Sequence, residues 1–248
     1  MKQSLSAFMS PPCLLCGALQ GNFDNYCEAC YQDLPHRHDQ SQPHCHICAV
    51  QLGDNSSEEI ICAECLQHPP AFDQVNAAMH YLPPITALIH AFKDEGQRGC
   101  GRLLSACLLR HLQQHELLTN PPTALIPVPL HSQRQRQRGF NQAEVIADYL
   151  GQGANIPVWL QHCVKTKPTA SQQGQNKRQR SSNLSRSFQI KRSFQDCEHI
   201  AIIDDVVTTG STANALAQAI RTSAGADIQI SVWCLARTLP PQSQLHLS

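Results

Sequence analysis

The sequence predicts an α/β body, a parallel sheet with flanking helices, preceded by a small cysteine-rich domain. Three observations lead there: residues 199–235 read as strand, helix and strand, four Cys-x2-Cys pairs fall within the first 65 residues, and charge divides between the two parts. Residues 1–70 carry 2 Lys/Arg against 8 Asp/Glu, a net −6, and residues 71–248 carry 17 against 11, a net +6. Asymmetry of this size marks two domains with different partners, placed at 1–70 and 71–248. No apolar run approaches the ~18 residues of a membrane span. The opening Met1–Phe8 lacks the apolar stretch of a secretory signal. A cytoplasmic chain without membrane insertion is expected.

The cysteine pairs are Cys13/Cys16, Cys27/Cys30, Cys45/Cys48 and Cys62/Cys65, separated by 10, 14 and 13 residues. Two residues between cysteines let one tight turn aim both sulfurs at one ion, and two such turns complete the four-thiolate shell of structural zinc. Disulfides do not suit a reducing cytosol, and a redox motif needs a single pair at a strand–helix junction. Two zinc ions are therefore expected. The repeat favours successive zinc ribbons, Cys13, Cys16, Cys27 and Cys30 followed by Cys45, Cys48, Cys62 and Cys65. A cross-braced arrangement uses the same residues. His44 and His46 flank Cys45 but are read as exposed loop histidines, because the thiolate count is already complete. The segment holds few large apolar residues, so its folding draws on metal. Full thiolate shells leave no open position, which points to scaffolding or partner contact.

Residues 66–72, with Pro69-Pro70, read as a linker. Residues 77–82 form a first strand ending at Pro83-Pro84. Ile85, Leu88, Ile89 and Phe92 recur at helical spacing over 85–93, and Leu103, Leu104, Cys107, Leu108 and Leu112 do so over 101–112. Residues 123–130 are a strand running into a loop. Residues 138–142 are a loop with Asn141 near the cap of a helix over 144–150. Residues 165–180, rich in Gln, Lys and Arg, have no periodicity and read as a mobile basic loop. Residues 199–205 are the clearest strand, His-Ile-Ala-Ile-Ile-Asp-Asp, followed by a turn over 206–212, a helix over 213–223 and a strand over 228–235. That βαβ unit places ligands at the carboxyl ends of parallel strands. Cys100, Cys107, Cys163, Cys197 and Cys234 share no metal spacing and read as inert.

Asp204 and Asp205 sit where a ligand is expected. Thr208, Thr209, Gly210, Ser211 and Thr212 follow, offering backbone N–H groups, hydroxyls and a helix start that favours an anion. Phosphate in the turn and sugar hydroxyls on the carboxylates describe a ribose 5-phosphate. The loop is neither a P-loop nor a dinucleotide fingerprint.

Residues 202–212, Ile-Ile-Asp-Asp-Val-Val-Thr-Thr-Gly-Ser-Thr, closely resemble the PRPP-binding signature of type I phosphoribosyltransferases. Pro127-Val-Pro-Leu-His131 with Arg134-x-Arg136-x-Arg138-Gly-Phe-Asn-Gln142 resembles the ComF family, including its GntX subgroup. So do Leu88-Ile-His-x-Phe-Lys93 and Arg180-x-x-Asn183-Leu184 ending at Phe188, as does the double zinc ribbon. The resemblance spans residues 13–237 and implies a type I phosphoribosyltransferase-like sheet and a place in natural transformation and the use of external DNA. It implies that Asp204 and Asp205 hold the ribose hydroxyls and that Thr208–Thr212 cradle the 5′-phosphate. Val128, Pro129, Leu130 and His131 then form the pyrophosphate loop, with Mg²⁺ bridging ribose and pyrophosphate. Residues 165–180 correspond to the loop that closes over PRPP, where Lys165 and Lys167 are candidates for a catalytic lysine by position only.

Residues 131–192 hold 11 Lys/Arg against Glu144 and Asp148. Arg134, Arg136, Arg138, Lys165, Lys167, Lys177, Arg178 and Arg180 are the expected contacts to pyrophosphate or to the backbone of single-stranded DNA. The expected function is PRPP/Mg binding with cytoplasmic handling of incoming single-stranded DNA. The alternative is an active phosphoribosyltransferase with no DNA contact. The acidic first 70 residues favour a protein partner such as a helicase-type component or another competence protein.

Overall fold

The computed structural model describes residues 11–19, 24–37, 43–53, 60–166, 187–195, 197–225 and 227–239. Their elements run α1 (Glu28–Gln32), α2 (Ala63–Gln67), β1 (Gln74–His80), α3 (Ile85–Asp94), α4 (Arg98–Gln114), β2 (Ala124–Pro127), α5 (Ser132–Arg138), α6 (Gln142–Ala154), β3 (Cys163–Lys165), β4 (Phe188–Ile190), β5 (His199–Val207), α7 (Ser211–Ala224) and β6 (Gln229–Arg237).

The main sheet pairs in the order β1-β6-β5-β2, with every neighbour parallel. Ile202 of β5 lies opposite Ile126 of β2 and Val232 of β6. Strands apolar on both faces need helices on both, and β5 shows how the two-residue period divides them. Ala201 and Ile203 pack with Leu103, Leu104 and Leu108 of α4 and Ile146 and Leu150 of α6. Ile200 and Ile202 pack instead with Leu216 and Ile220 of α7. Gly101 lets α3 and α4 close together, since a Cβ there would lie 2.4 Å from the Phe92 ring.

The βαβ unit forms as the apolar run and turn predict, with β5 extending to Val207 and α7 starting at Ser211. The first strand starts three residues before the predicted Ala77. Asn141 caps α6 by accepting from Ala143 N at 3.1 Å. Two features differ from expectation. The arginines of Ser-Gln-Arg-Gln-Arg-Gln-Arg stand on α5, which buries no residue and so has no apolar period to betray it. It is bounded by its caps: His131 Nδ1 accepts from Gln133 N at 3.3 Å, and Gly139 closes the helix in the left-handed region at φ 79°. The second feature is the antiparallel pair β3–β4, three residues per strand; of the basic loop predicted over 165–180, residues 167–180 lie outside the described residues. Cys100, Cys107, Cys163 and Cys234 are buried and Cys197 half-buried.

The amino-terminal segment packs onto the body. Cys13, Tyr26, Tyr31 and Leu34 join the cluster of α3, α4 and α6. Arg110 of α4 lies 3.8 Å from the Tyr31 ring centroid and donates to both carboxylate oxygens of Glu28 at 2.7 Å. Tyr149 donates to Asp24 at 2.5 Å. Farther along, Val75 N of β1 donates to Ile47 O at 2.8 Å. Among the described residues no helix is long and apolar enough to cross a membrane.

Candidate functional site

β5 stays apolar until the carboxyl edge of the sheet, where Asp204 and Asp205 stand half-buried. The chain leaves β2 through α6 to the parallel bridge of Val158 with Leu125, and leaves β5 through α7 to β6 on the opposite side, so the winding reverses between β2 and β5, the position at which open α/β sheets bind ligands. Alternation along the strand carries Asp205 to the α3 side. There Lys93 Nζ lies 2.8 Å from its Oδ2, and the two side chains are 20% and 15% exposed. Asp204 Oδ1 accepts from Asp205 N at 2.9 Å, and Asp205 Oδ1 accepts from Val206 N at 2.6 Å. Burial, with the Asp205 charge, pushes the Asp204 carboxyl up to about 7, against the opposing pull of the Asp205 N–H, Lys93 and Lys165.

Lys165, at the end of β3, lies within electrostatic reach of Asp204 and Arg134. Burial and then Arg134 hold its ammonium below the usual lysine range. Thr208, Thr209 and Ser211 are exposed at the start of α7, with Gly210 and Thr212 half-buried. Gly210 takes φ 75°, in the left-handed region. Thr209 Oγ1 and Ser211 Oγ are 3.0 Å apart, and Ser211 N donates to Thr209 Oγ1 at 3.4 Å. The first turn of a 14-residue helix leaves N–H groups without intrahelical partners beside these hydroxyls.

Across the crevice, Val128 N donates to Ile203 O at 2.9 Å, which ties the Val128–His131 loop to β5. Its carbonyl accepts from Asn141 Nδ2 at 3.1 Å. Pro129, Leu130 and His131 are half-buried, while Arg134 and Arg136 are exposed on α5. Arg138 is engaged elsewhere: Nη2 donates to Asp94 Oδ1 at 3.3 Å and Nη1 to Gln142 Oε1 at 3.2 Å. Gln142 in turn donates to Lys93 O at 3.5 Å, so this network fixes the end of α3 that presents Lys93. One edge thus gathers Asp204, Asp205, Thr208–Thr212, Val128–His131 and Lys165. Lys167, Lys177, Arg178 and Arg180 lie outside the described residues. Lys93 is the cation beside the acid pair that sequence reasoning did not single out, although it ends the Leu88–Lys93 motif.

The eight early sulfurs form two groups, Cys13, Cys16, Cys27 and Cys30, and Cys45, Cys48, Cys62 and Cys65, each with all ligand atoms within 4.8 Å. This is the successive pairing. Cys16–Cys27 and Cys48–Cys62 sulfurs stand 3.8 and 3.7 Å apart. A tetrahedron with Zn–S of about 2.3 Å has an edge of about 3.8 Å, so both groups fit zinc. Each site joins a loop knuckle to the first turn of a short helix, α1 or α2. The knuckles repeat: Gly17 N donates to Cys13 O and Ala49 N to Cys45 O, both at 2.8 Å, with Gly17 and Ala49 at φ 75° and 54°. Burial opposes ionisation of Cys13 and Cys45, but surrounding backbone N–H donors outweigh it and bring the thiols down to about 6 and about 7. His44 and His46 are not in either group.

No family model matches the chain. It is 32% identical over 237 residues to Competence protein F of Haemophilus influenzae, covering 93% of this chain and 98% of that one. It is 35% identical over 187 residues to DNA utilization protein YhgH of Escherichia coli O6:H1, covering 72% and 78%. A purine phosphoribosyltransferase structure from Pyrococcus horikoshii overlays on 54% of this chain and 70% of its own with a TM-score of 0.32 and 18% identity, a likeness too slight to argue from. The near-complete coverage by the first relative decides the matter: the chain belongs to the competence protein F (ComF) family.

Proposed function

We propose that this protein binds PRPP with Mg²⁺ at the carboxyl edge of its sheet and acts in the cytoplasmic handling of incoming single-stranded DNA. The observation that best supports the first part is the acid pair and the helix-opening turn standing together, with Lys93 and Lys165 converging on the carboxylates. A sugar phosphate with neighbouring hydroxyls satisfies both halves of that arrangement. Asp204 and Asp205 accept hydrogen bonds from the ribose hydroxyls, and Thr208–Thr212 hold the 5′-phosphate. Val128–His131 face the pyrophosphate, whose charge Arg134 and Lys165 offset. Oxygen donors and phosphates suit Mg²⁺, which neutralises phosphate charge when bound, and Asp204 and Asp205 reach it through ribose or water.

The relatives named for competence and DNA utilization support the second part. Arg134 and Arg136, exposed on α5, suit a phosphate backbone, and the acidic residues 1–70 suit a protein partner of the uptake machinery. Lys165, its ammonium held low beside Asp204, favours a second reading, phosphoryl-ribose transfer to an acceptor with release of pyrophosphate. Calorimetric titration of PRPP with Mg²⁺ tests the site, using the intact protein beside the Asp204→Asn/Asp205→Asn double variant. Heat of binding from the intact protein alone supports the proposal, and absence of binding by both refutes it. Acceptor-dependent pyrophosphate release, lost in Lys165→Met, is the outcome expected for the second reading.

A further inference from the structure

The second cysteine group and the turn at the start of α7 share one side chain. Arg237, the last residue of β6, is 5% exposed. Its Nε donates to Cys48 O at 2.9 Å, and its Nη1 donates to Val207 O at 3.1 Å and to Thr208 O. A second guanidinium, Arg37, is 8% exposed and donates through Nη2 to Ala49 O at 2.5 Å. Both therefore grip the same knuckle. Among the described residues no carboxylate pairs with either. Buried cations without a counter-charge are costly. Zinc held by Cys45, Cys48, Cys62 and Cys65 would supply one, because four thiolates around a divalent ion leave a net charge of about −2. Among the described residues the first cysteine group has no such link. It docks through Tyr31, Glu28 and Asp24 onto α4 and α6, away from the turn.

We infer that Arg237 is a positioning residue that couples the second zinc site, and not the first, to the backbone of Val207 and Thr208. It thereby sets the turn to which the proposed function assigns the 5′-phosphate. The choice of ligand rests on that proposal, whereas the mechanical link does not. The test compares full-length Arg237→Gln with the intact protein and with Arg110→Gln, which loosens the first cysteine group instead. Amide exchange over 206–212 is measured beside calorimetry with ribose 5-phosphate and, separately, with pyrophosphate and Mg²⁺. Arg237→Gln is expected to weaken ribose 5-phosphate about tenfold or more while leaving pyrophosphate within about twofold. Exchange over 206–212 should quicken in Arg237→Gln and stay unchanged in Arg110→Gln. Equal losses for the two ligands, or unchanged exchange, overturn the inference. If the intact protein binds neither ligand, the proposed function fails, and the exchange comparison still decides the link. Should Arg237→Gln fail to fold, zinc withdrawal from the intact protein by a chelator replaces it, with no rise in exchange over 206–212 as the refuting result.

Discussion

Asp204 holds a carboxyl where the fold disfavours its charge, so removing that charge should stabilise the protein while abolishing the proposed ligand site. In the folded chain the group titrates near 7, against 3.8 for the ordinary carboxyl, because of burial and Asp205. The native state therefore binds more protons than the unfolded state between about pH 4 and 7. Stability falls with rising pH across that window by about 1.4 kcal/mol per unit and is level above it. Asp204→Asn has no such loss, and its Oδ1 still accepts from Asp205 N. Relative to the intact protein, its advantage should grow between pH 5.5 and 8 by about 2 kcal/mol. For a chain of this length that is a widening of the Tm difference by roughly 4–8 °C. Thermal melts of both proteins at pH 5.5, 7 and 8 measure it, with the constant part of the substitution cancelling. A Tm difference that stays flat or narrows as pH rises would show that Asp204 is ionised throughout, and the strained acid pair would go with it.

Lys93→Met leaves Asp205 half-buried without its cation, at a cost of about 1–3 kcal/mol by denaturant unfolding. Because Lys93 lowers the Asp204 carboxyl, the pH midpoint of PRPP binding should also move upward, and an unmoved midpoint would detach Lys93 from the site. Arg134→Ala/Arg136→Ala should reduce both the affinity for single-stranded DNA and its slope against salt, by about 1.4 in the log–log plot, since two phosphate contacts go. An unaltered slope places DNA contact off α5. Ala49→Gly relieves an L side chain at φ 54°, where the matching knuckle already has Gly17, and should raise stability by about 0.5–1 kcal/mol. A lower Tm would mean that the alanine methyl contributes more by packing than its backbone strain costs.

The legible parts of this protein are those whose signal is local. The run from His199 to Asp205 is apolar on both faces and ends in acids, so the strand, its burial and the ligand edge can be read together. The cysteine repeat likewise implied metal, and the sulfur positions show the successive pairing, each group joining one loop knuckle to the start of one short helix. α5 was invisible because a short, wholly exposed helix needs no apolar period, and β3 and β4 because three residues hold too little pattern. Lys93 and Arg237 escaped for a different reason. Their roles lie in partners remote in sequence, Asp205 for one and the Cys48 and Thr208 carbonyls for the other, and nothing in the neighbouring residues records such pairings.

The charge arrangement also separates the two proposed ligands. Anionic phosphates call for cations and free N–H groups, which the turn, Arg134 and Lys165 provide. Two carboxylates at the same edge repel a phosphate and earn their place only by accepting from hydroxyls. Incoming DNA has no 2′-hydroxyl, so this pair is unsuited to its backbone, and contact with DNA is expected along α5, whose Arg134 borders the site and whose Arg136 is exposed beyond it. The same reasoning fixes the sugar preference of the site. A 2-deoxyribose 5-phosphate would bury a carboxylate with one partner missing, an omission worth about 1–3 kcal/mol, or roughly five- to 150-fold in affinity. Competition calorimetry between ribose 5-phosphate and its 2-deoxy analogue measures that ratio directly. In Asp204→Asn/Asp205→Asn, with no buried charge left to satisfy, the two sugars should bind alike and weakly. Equal binding by the intact protein would mean that Asp204 and Asp205 do not read the ribose hydroxyls.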